Sequence, residues 1–179
     1  MNSVNALAMW HQKFIISGDT DGRVLVWDSI TGYVTRPEGA YKHKVGVTGV
    51  ACNDKFVYTS ASDMTMLSYE ITAKDDSKPG DYQYFMKSLQ NEPIKKNSSV
   101  KQMISTADHL YILFTDKTIE ITSAANIEEV VKKSAKLDSL GASKGEALGI
   151  ALSSELKELY VADDKGFVHV LDAESLEVK

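Results

Sequence analysis

Two apolar runs, Phe14-Ile15-Ile16-Ser17 and Arg23-Val24-Leu25-Val26-Trp27, flank Gly18-Asp19-Thr20-Asp21-Gly22, and the second run ends in Trp27-Asp28. Residues of this kind on either side of an Asp-Gly pair predict a β-hairpin, because the turn needs backbone angles that glycine adopts without steric cost. A hairpin cannot bury its apolar side alone, so the rest of the chain must supply further strands.

The remainder divides into copies of this unit, four in all, with approximate bounds 1–42, 43–94, 95–142 and 143–179. In the first, Val4 to Met9 precedes the hairpin, Ile30-Thr31-Gly32 is a turn, and Tyr33 to Arg36 is a weak outer strand before Pro37. In the second, Val47 to Cys52, Phe56 to Ser60, Met66 to Ile71 and Tyr82 to Leu89 are strands, with loops at Ala73 to Asp81 and Gln90 to Ser99. In the third, Val100 to Ser105, His109 to Phe114 and Thr118 to Thr122 are strands. Its last piece is either a strand around Glu129 to Lys133 or a short helix, since Asn126 and Glu129 imitate a capping box. In the fourth, Ala147 to Leu152, Glu158 to Ala162 and Phe167 to Leu171 are strands, and a last one starts at Ser175. The turn aspartates Asp21, Asp63, Asp116 and Asp164 recur at intervals of 42, 53 and 48 residues. A Trp-Asp hairpin repeating near every 40–45 residues resembles the WD-repeat β-propellers, so the expected fold is all-β, a propeller segment of about four blades with four antiparallel strands each.

Such propellers usually need about seven blades, because each blade buries both faces on its neighbours. An open arc of four would leave an apolar face bare at each end. The expectation is therefore a piece of a longer protein, or copies that associate and complete each other.

Charge and cysteine usage narrow the classes. The 179 residues carry 25 acidic against 20 basic side chains, a net charge of −5. That balance argues against a nucleic-acid binder, which needs a dense basic face. No apolar run approaches the roughly 20 residues of a membrane helix. The opening residues lack a basic and then apolar leader, and Cys52 has no second cysteine to pair with, so a reducing cytoplasmic setting is expected.

No chemical motif stands out. Asp19-Thr20-Asp21-Gly22 opens like a calcium loop, but Arg23 and Ile30 occupy the fifth and twelfth positions, where oxygen ligands belong. A hairpin turn is the simpler reading. His11, His43, His109 and His169 lie far apart and in no metal-ligand spacing. His169, within an apolar strand, reads as a core residue with a hydrogen-bond partner. Asn97-Ser98-Ser99 matches a glycosylation pattern that a chain without a leader would not use. Lys95-Lys96 and Lys132-Lys133 are short basic pairs suited to solvent or to an acidic partner. The first strands, Asn5 to Ala8, Val47 to Val50, Lys101 to Ile104 and Leu148 to Ala151, lack the His, Arg and carboxylates of a propeller enzyme. No catalytic, cofactor or metal site is expected.

The WD-repeat resemblance implies a structural network in which a His before the first strand joins a strand Ser or Thr, the turn Asp and the third-strand Trp. Here that set would be His43, Ser60, Asp63 and Tyr69, with Asp21 and Trp27 as the matching turn and strand residues of the first unit. It contains Ser, His and Asp but is a fold network, not a triad.

A narrower likeness rests on Ser17 to Gly32 with its Asp-x-x-Thr-Gly tail, on Val47-Thr48-Gly49-Val50 following a His, on Asn91-Glu92-Pro93 before a unit without Trp-Asp, and on Lys165 to Leu171 with its Val-His-Val strand. In that order they resemble the second propeller of the actin-interacting protein 1 family. The resemblance implies a cytoplasmic protein of the actin cytoskeleton that binds actin filaments and acts with cofilin to disassemble them. It carries over no specific contact residues. The loops around Asp19, Thr20 and Asp21, at Ala73 to Asp81, and at Gln90 to Ser99 with Lys95 and Lys96, are the expected partner contacts. The rival readings are a WD-repeat scaffold of an unrelated complex and, least favoured, a propeller enzyme.

Overall fold

The structure is a computed structural model that describes residues 3–35, 42–73, 84–133, 137 and 145–179. These form four antiparallel sheets, with no α-helix among the described residues. The first sheet is β1 (Val4–Trp10), β2 (Phe14–Asp19), β3 (Val24–Asp28) and β4 (Val34–Thr35), in that order. The second is β5 (Val47–Cys52), β6 (Phe56–Ala61), β7 (Thr65–Ala73) and β8 (Tyr84–Ser88). The third is β10 (Val100–Ser105), β11 (His109–Phe114), β12 (Ile119–Ser123) and β13 (Val130–Lys133). The fourth has three strands, β14 (Ala147–Ser153), β15 (Glu158–Asp163) and β16 (Val168–Asp172).

Strand number departs from four per sheet in two places. The stretch expected as a loop from Gln90 to Ser99 holds a short strand, β9 (Ile94–Lys95), which pairs with the start of β7 at Met66 and Thr65 and makes the second sheet five-stranded. In the fourth, only a single bridge, Leu171 to Val178, stands where an outer strand was expected. Asp172 and the backbone around it tie the chain into a turn that uses up those residues. The open alternative after Ile127 resolves as a strand. Asn126 does cap a turn, its Oδ1 accepting the Glu128 amide at 3.1 Å, but Ile127 is fully buried and anchors the chain before β13 begins. Arg36, Pro37, the loop residues 74–81 and the start of the strand expected from Tyr82 lie outside the described residues, and Ala73, expected in that loop, ends β7.

The repeat is more regular in the backbone than in the sequence. Every first strand has a register shift after its first residue, between Val4 and Ala6, Val47 and Gly49, Val100 and Gln102, and Ala147 and Gly149. The extra residue of this β-bulge is Asn5, Thr48, Lys101 or Leu148. After every second strand, the backbone amide of Thr20, Ser62, Thr115 or Asp164 donates to the carbonyl of Ser3, Gly46, Ser99 or Glu146, which precedes the first strand of the same sheet. The turn that follows has one left-handed residue in each sheet, Gly22 (φ 78°), Met64 (φ 65°), Lys117 (φ 69°) and Gly166 (φ 84°).

Glycine serves two of those turns and the other two hold side chains that disfavour the conformation by about 1–2 kcal/mol. Met64→Gly is therefore expected to stabilise the second sheet by about 0.5–1 kcal/mol, after allowing for glycine's greater freedom in the unfolded chain. A higher urea midpoint at unchanged slope is the expected readout.

The chain divides into two compact units, Met1–Asn97 and Ser98–Lys179. In the first, the sheets pack face to face. Trp10, Phe14, Ile16, Val24 and Val26 of the first sheet meet Val47, Val57, Tyr69, Ile71 and Met86 of the second. Polar groups lock the same seam. Asn5 Nδ2 donates to the Val47 carbonyl at 3.2 Å, Cys52 Sγ to the Met9 carbonyl at 3.1 Å, and Trp10 Nε1 to the Asp54 carbonyl at 3.2 Å. In the second unit, Tyr111, Ile119 and Ile121 of the third sheet pack on Ile150, Leu159, Val161 and Leu171 of the fourth. There Gln102 acts as a surrogate peptide group. Its Nε2 donates to the Ile150 carbonyl at 3.0 Å and its Oε1 accepts the Ile150 amide at 2.8 Å.

Candidate interaction surface

The segment leading into β5 runs against the turn of the first sheet so closely that a Cβ at Gly22 would lie 2.3 Å from the His43 carbonyl oxygen. His43 itself is buried, at 1% exposure. Its Nε2 shares a 2.8 Å hydrogen bond with Thr59 Oγ1, and its Nδ1 a 3.2 Å bond with Thr65 Oγ1. Asp63 Oδ1 accepts from Thr65 Oγ1 at 2.6 Å and from the Thr65 amide at 3.1 Å. Thr59 also hydrogen-bonds Tyr69, whose phenol burial pushes far above its usual range. The chain of bonds is thus Asp63, Thr65, His43, Thr59, Tyr69.

Ser60 does not belong to it. Its hydroxyl lies 3.2 Å from that of Thr48. Strand alternation explains the difference, since consecutive residues of β6 face opposite sides and only Thr59 points toward His43. Asp63 reaches the imidazole through Thr65 rather than directly. Burial pushes the His43 imidazole down to about 4, with Asp63 opposing the shift, so the ring is neutral near pH 7. Burial raises the Asp63 carboxyl, but the Thr65 hydrogen bonds, Lys95 and His43 outweigh it and hold the group below the usual carboxylate range.

In the first sheet Trp27 Nε1 donates to Ser17 Oγ at 2.7 Å, which is the position matching Tyr69 and Thr59. The turn carboxylates divide into two kinds. Asp19, buried at the end of β2, accepts the Asp21 and Arg23 amides at 2.9 Å, and Asp163 does the same for Lys165 and Phe167 at 2.9 Å. Asp63 and Asp116 sit two residues further into the turn and bind the threonine two residues on. Asp19 is therefore consumed by the turn, while Thr20 and Asp21 are exposed, Asp21 pairing with Arg23 at 3.1 Å. Lys95 is exposed and donates to the Asp63 carbonyl, and Lys96 is half-buried. His169 Nε2 lies 3.1 Å from Asp163 Oδ2. Among the described residues, no group of three His, Cys, Asp or Glu is placed to hold a metal ion.

Cys52 is a poor nucleophile, because burial, and Asp54 beside it, push its thiol up to about 11. Among the described residues, concavities at two places are lined mainly by apolar side chains. One, of about 290 Å³, lies on the first sheet against Val4, Leu7, Ile15, Ser17 and Trp27. The other, of about 210 Å³, lies on the second unit against His109, Tyr111, Ile121, Val131 and Ala173. Neither was legible in the sequence, where these residues read as ordinary strand positions.

Solved structures place this arrangement among known folds. The chain is similar to the β-propeller domain of Myceliophteria thermophila Cps50 (Swd1), at 14% identity and a TM-score of 0.69, covering 99% of this chain and 54% of that one. The fold is a β-propeller fold. A chain of the mitotic checkpoint complex matches at 12% identity and a TM-score of 0.71, over 99% of this chain and 50% of that one. The computationally designed Ika4 protein matches at 16% identity and a TM-score of 0.65, over 95% and 91%. This chain thus spans about half the length of the first two. No family model matches it, and neither does any curated protein. The Trp27-Asp28 hairpin and the His43 network support the WD-repeat kind of propeller.

Proposed function

We propose that the chain belongs to a WD-repeat interaction scaffold that works by surface recognition, not catalysis, and whose partner is the actin filament carrying cofilin. The observation that supports a scaffold is how its turns are built. Side chains within the turns, the buried Asp19 and Asp163 and the half-buried Asp63 and Asp116, satisfy the turn backbone from within, and the tips Thr20 and Asp21 are exposed. A stiff framework presenting tips to a partner suits recognition. The Ser-His-Asp trio supplies no relay, since both ring nitrogens of His43 are taken by threonines.

The choice of actin and cofilin, and with it a cytoplasmic site of action, rests on the sequence resemblance through Ser17 to Gly32 and Lys165 to Leu171. Filament co-sedimentation of the protein that carries this chain, with and without cofilin, tests it. Binding to cofilin-bearing filaments, with actin released into the supernatant, is the expected result. No binding and no release under either condition overturns the actin reading and leaves a scaffold for another complex.

A further inference from the structure

The two units bury the same kind of seam, and each leaves one half of that seam bare. In the first unit, the second sheet covers the first with Val47, Val57, Leu67 and Tyr69, all at 0% exposure, and with Val50 and Cys52 packed beside them. Register aligns those six positions with Val4, Ile15, Leu25, Trp27, Leu7 and Met9 of the first sheet. There the same face is open. Val4 is 51% exposed, Leu7 63% and Met9 60%, and the 290 Å³ groove runs between Val4, Leu7, Ile15 and Trp27.

The complementary half is open on the second unit. The face that the first sheet offers the second is built from Phe14, Ile16, Val24 and Val26, all buried. In the third sheet the matching Tyr111, Ile119 and Ile121 are buried against the fourth. In the fourth sheet the same positions are Glu158, Tyr160, Val168 and Val170. Val168 is 62% exposed, its neighbour Phe167 60%, and Tyr160 and Val170 are only half-buried. Tyr160 is oriented by its hydroxyl, which donates to Glu158 Oε2 at 2.6 Å, while Lys179 Nζ pairs with the other oxygen at 3.1 Å.

We propose that the open face of the first sheet is a docking site for the open face of the fourth sheet of a second copy of this chain, repeating the seam that each unit already contains. The occupant follows from the chain itself. Two largely apolar faces of opposite kind are bare among the described residues, the fourth-sheet one carrying the Glu158–Lys179 pair, and each has a counterpart that the chain buries elsewhere against a surface of the other kind; two of the three matching chains are about twice this length. Such a head-to-tail contact is heterologous, so each copy uses a different face.

The test is sedimentation equilibrium of the chain over a dilution series, with Leu7→Glu on one face and Val168→Glu on the other. Both positions are solvent-exposed in the single chain, so neither variant threatens its fold, which circular dichroism verifies. The wild type is expected to self-associate, and each variant to weaken that by at least about tenfold, since a carboxylate would be buried without a partner. Mixing the two variants should restore a dimer and nothing larger, because the intact fourth-sheet face of one meets the intact first-sheet face of the other. A wild type that is monomeric throughout overturns the proposal and leaves the face to a blade of other sequence. Association that survives either substitution, or no dimer on mixing, overturns the head-to-tail pairing. None of these readouts involves actin, so they stand apart from filament co-sedimentation.

Discussion

Gly18→Ala is expected to destabilise the first unit by about 3 kcal/mol, near the top of the usual range for adding a single methyl group to a packed interior. A Cβ at Gly18 would lie 2.2 Å from Val47 Cγ1 and 2.7 Å from its Cβ. Val47 cannot swing away. It is fully buried, its β-branched side chain has few rotamers, and it sits on the residue before the bulge of β5, whose carbonyl holds Asn5. The cost is one of spacing between two sheets, so trimming the opposing side chain should recover much of it. The double variant Gly18→Ala with Val47→Ala should be more stable than the sum of the single effects predicts, with a coupling of about 2 kcal/mol. Urea midpoints for the four proteins give that number directly. Strict additivity would mean that the alanine methyl is accommodated elsewhere and that the two sheets are not in such close registry.

The second large effect is acid sensitivity centred on His43. Its imidazole titrates at about 4 in the fold against an ordinary 6.5, because burial disfavours the charged ring more than Asp63 favours it. The unfolded chain therefore binds the proton more readily than the folded one between those values. The stabilisation is complete above about pH 6.5, falls as the pH drops through that window, and is lost at about pH 4, a change of about 3 kcal/mol. His43→Gln should be less stable than the wild type at pH 7, yet nearly flat in stability from pH 6.5 to 4.5. A variant that keeps the wild-type slope would assign the acid sensitivity to another group. Asp63 adds its own loss at lower pH, its depressed carboxyl favouring the fold only while ionised.

The strand plan was legible because hairpin chemistry is local. The runs Val47 to Cys52, Val100 to Ser105 and His109 to Phe114 hold their sequence bounds as β5, β10 and β11, the strand expected from Ser175 does not form, and the other strand bounds that fall on described residues move by a residue or two. The misses lie where tertiary contacts decide. Ile94 and Lys95 look like loop residues beside Pro93, and only the free start of β7 makes them a strand. Thr59 and Ser60 are equally good hydroxyl donors by sequence, and only the phase of β6 selects Thr59 for His43. Gln102 and Cys52 gave no signal, because their partners are backbone groups of another strand some 40 to 50 residues away in the chain. The left-handed Met64 and Lys117 were invisible for a related reason. Asp63 and Asp116 each bind the residue two further on, and that ring forces the residue between them into a conformation its own side chain disfavours.

The bulge shared by the four first strands bears on how such a chain is copied. Each strand counts one extra residue at the same place, so the stretch from one bulge to the next is a cassette in constant phase. Joining two copies at matching positions, counted from Asn5, Thr48, Lys101 or Leu148, keeps every later side chain on its proper face, whereas joining positions one residue out of step turns the strand inside out. The bulge is thus a reading-frame mark written in backbone geometry, a point at which a gene encoding this fold can gain or lose a blade without disturbing those already there.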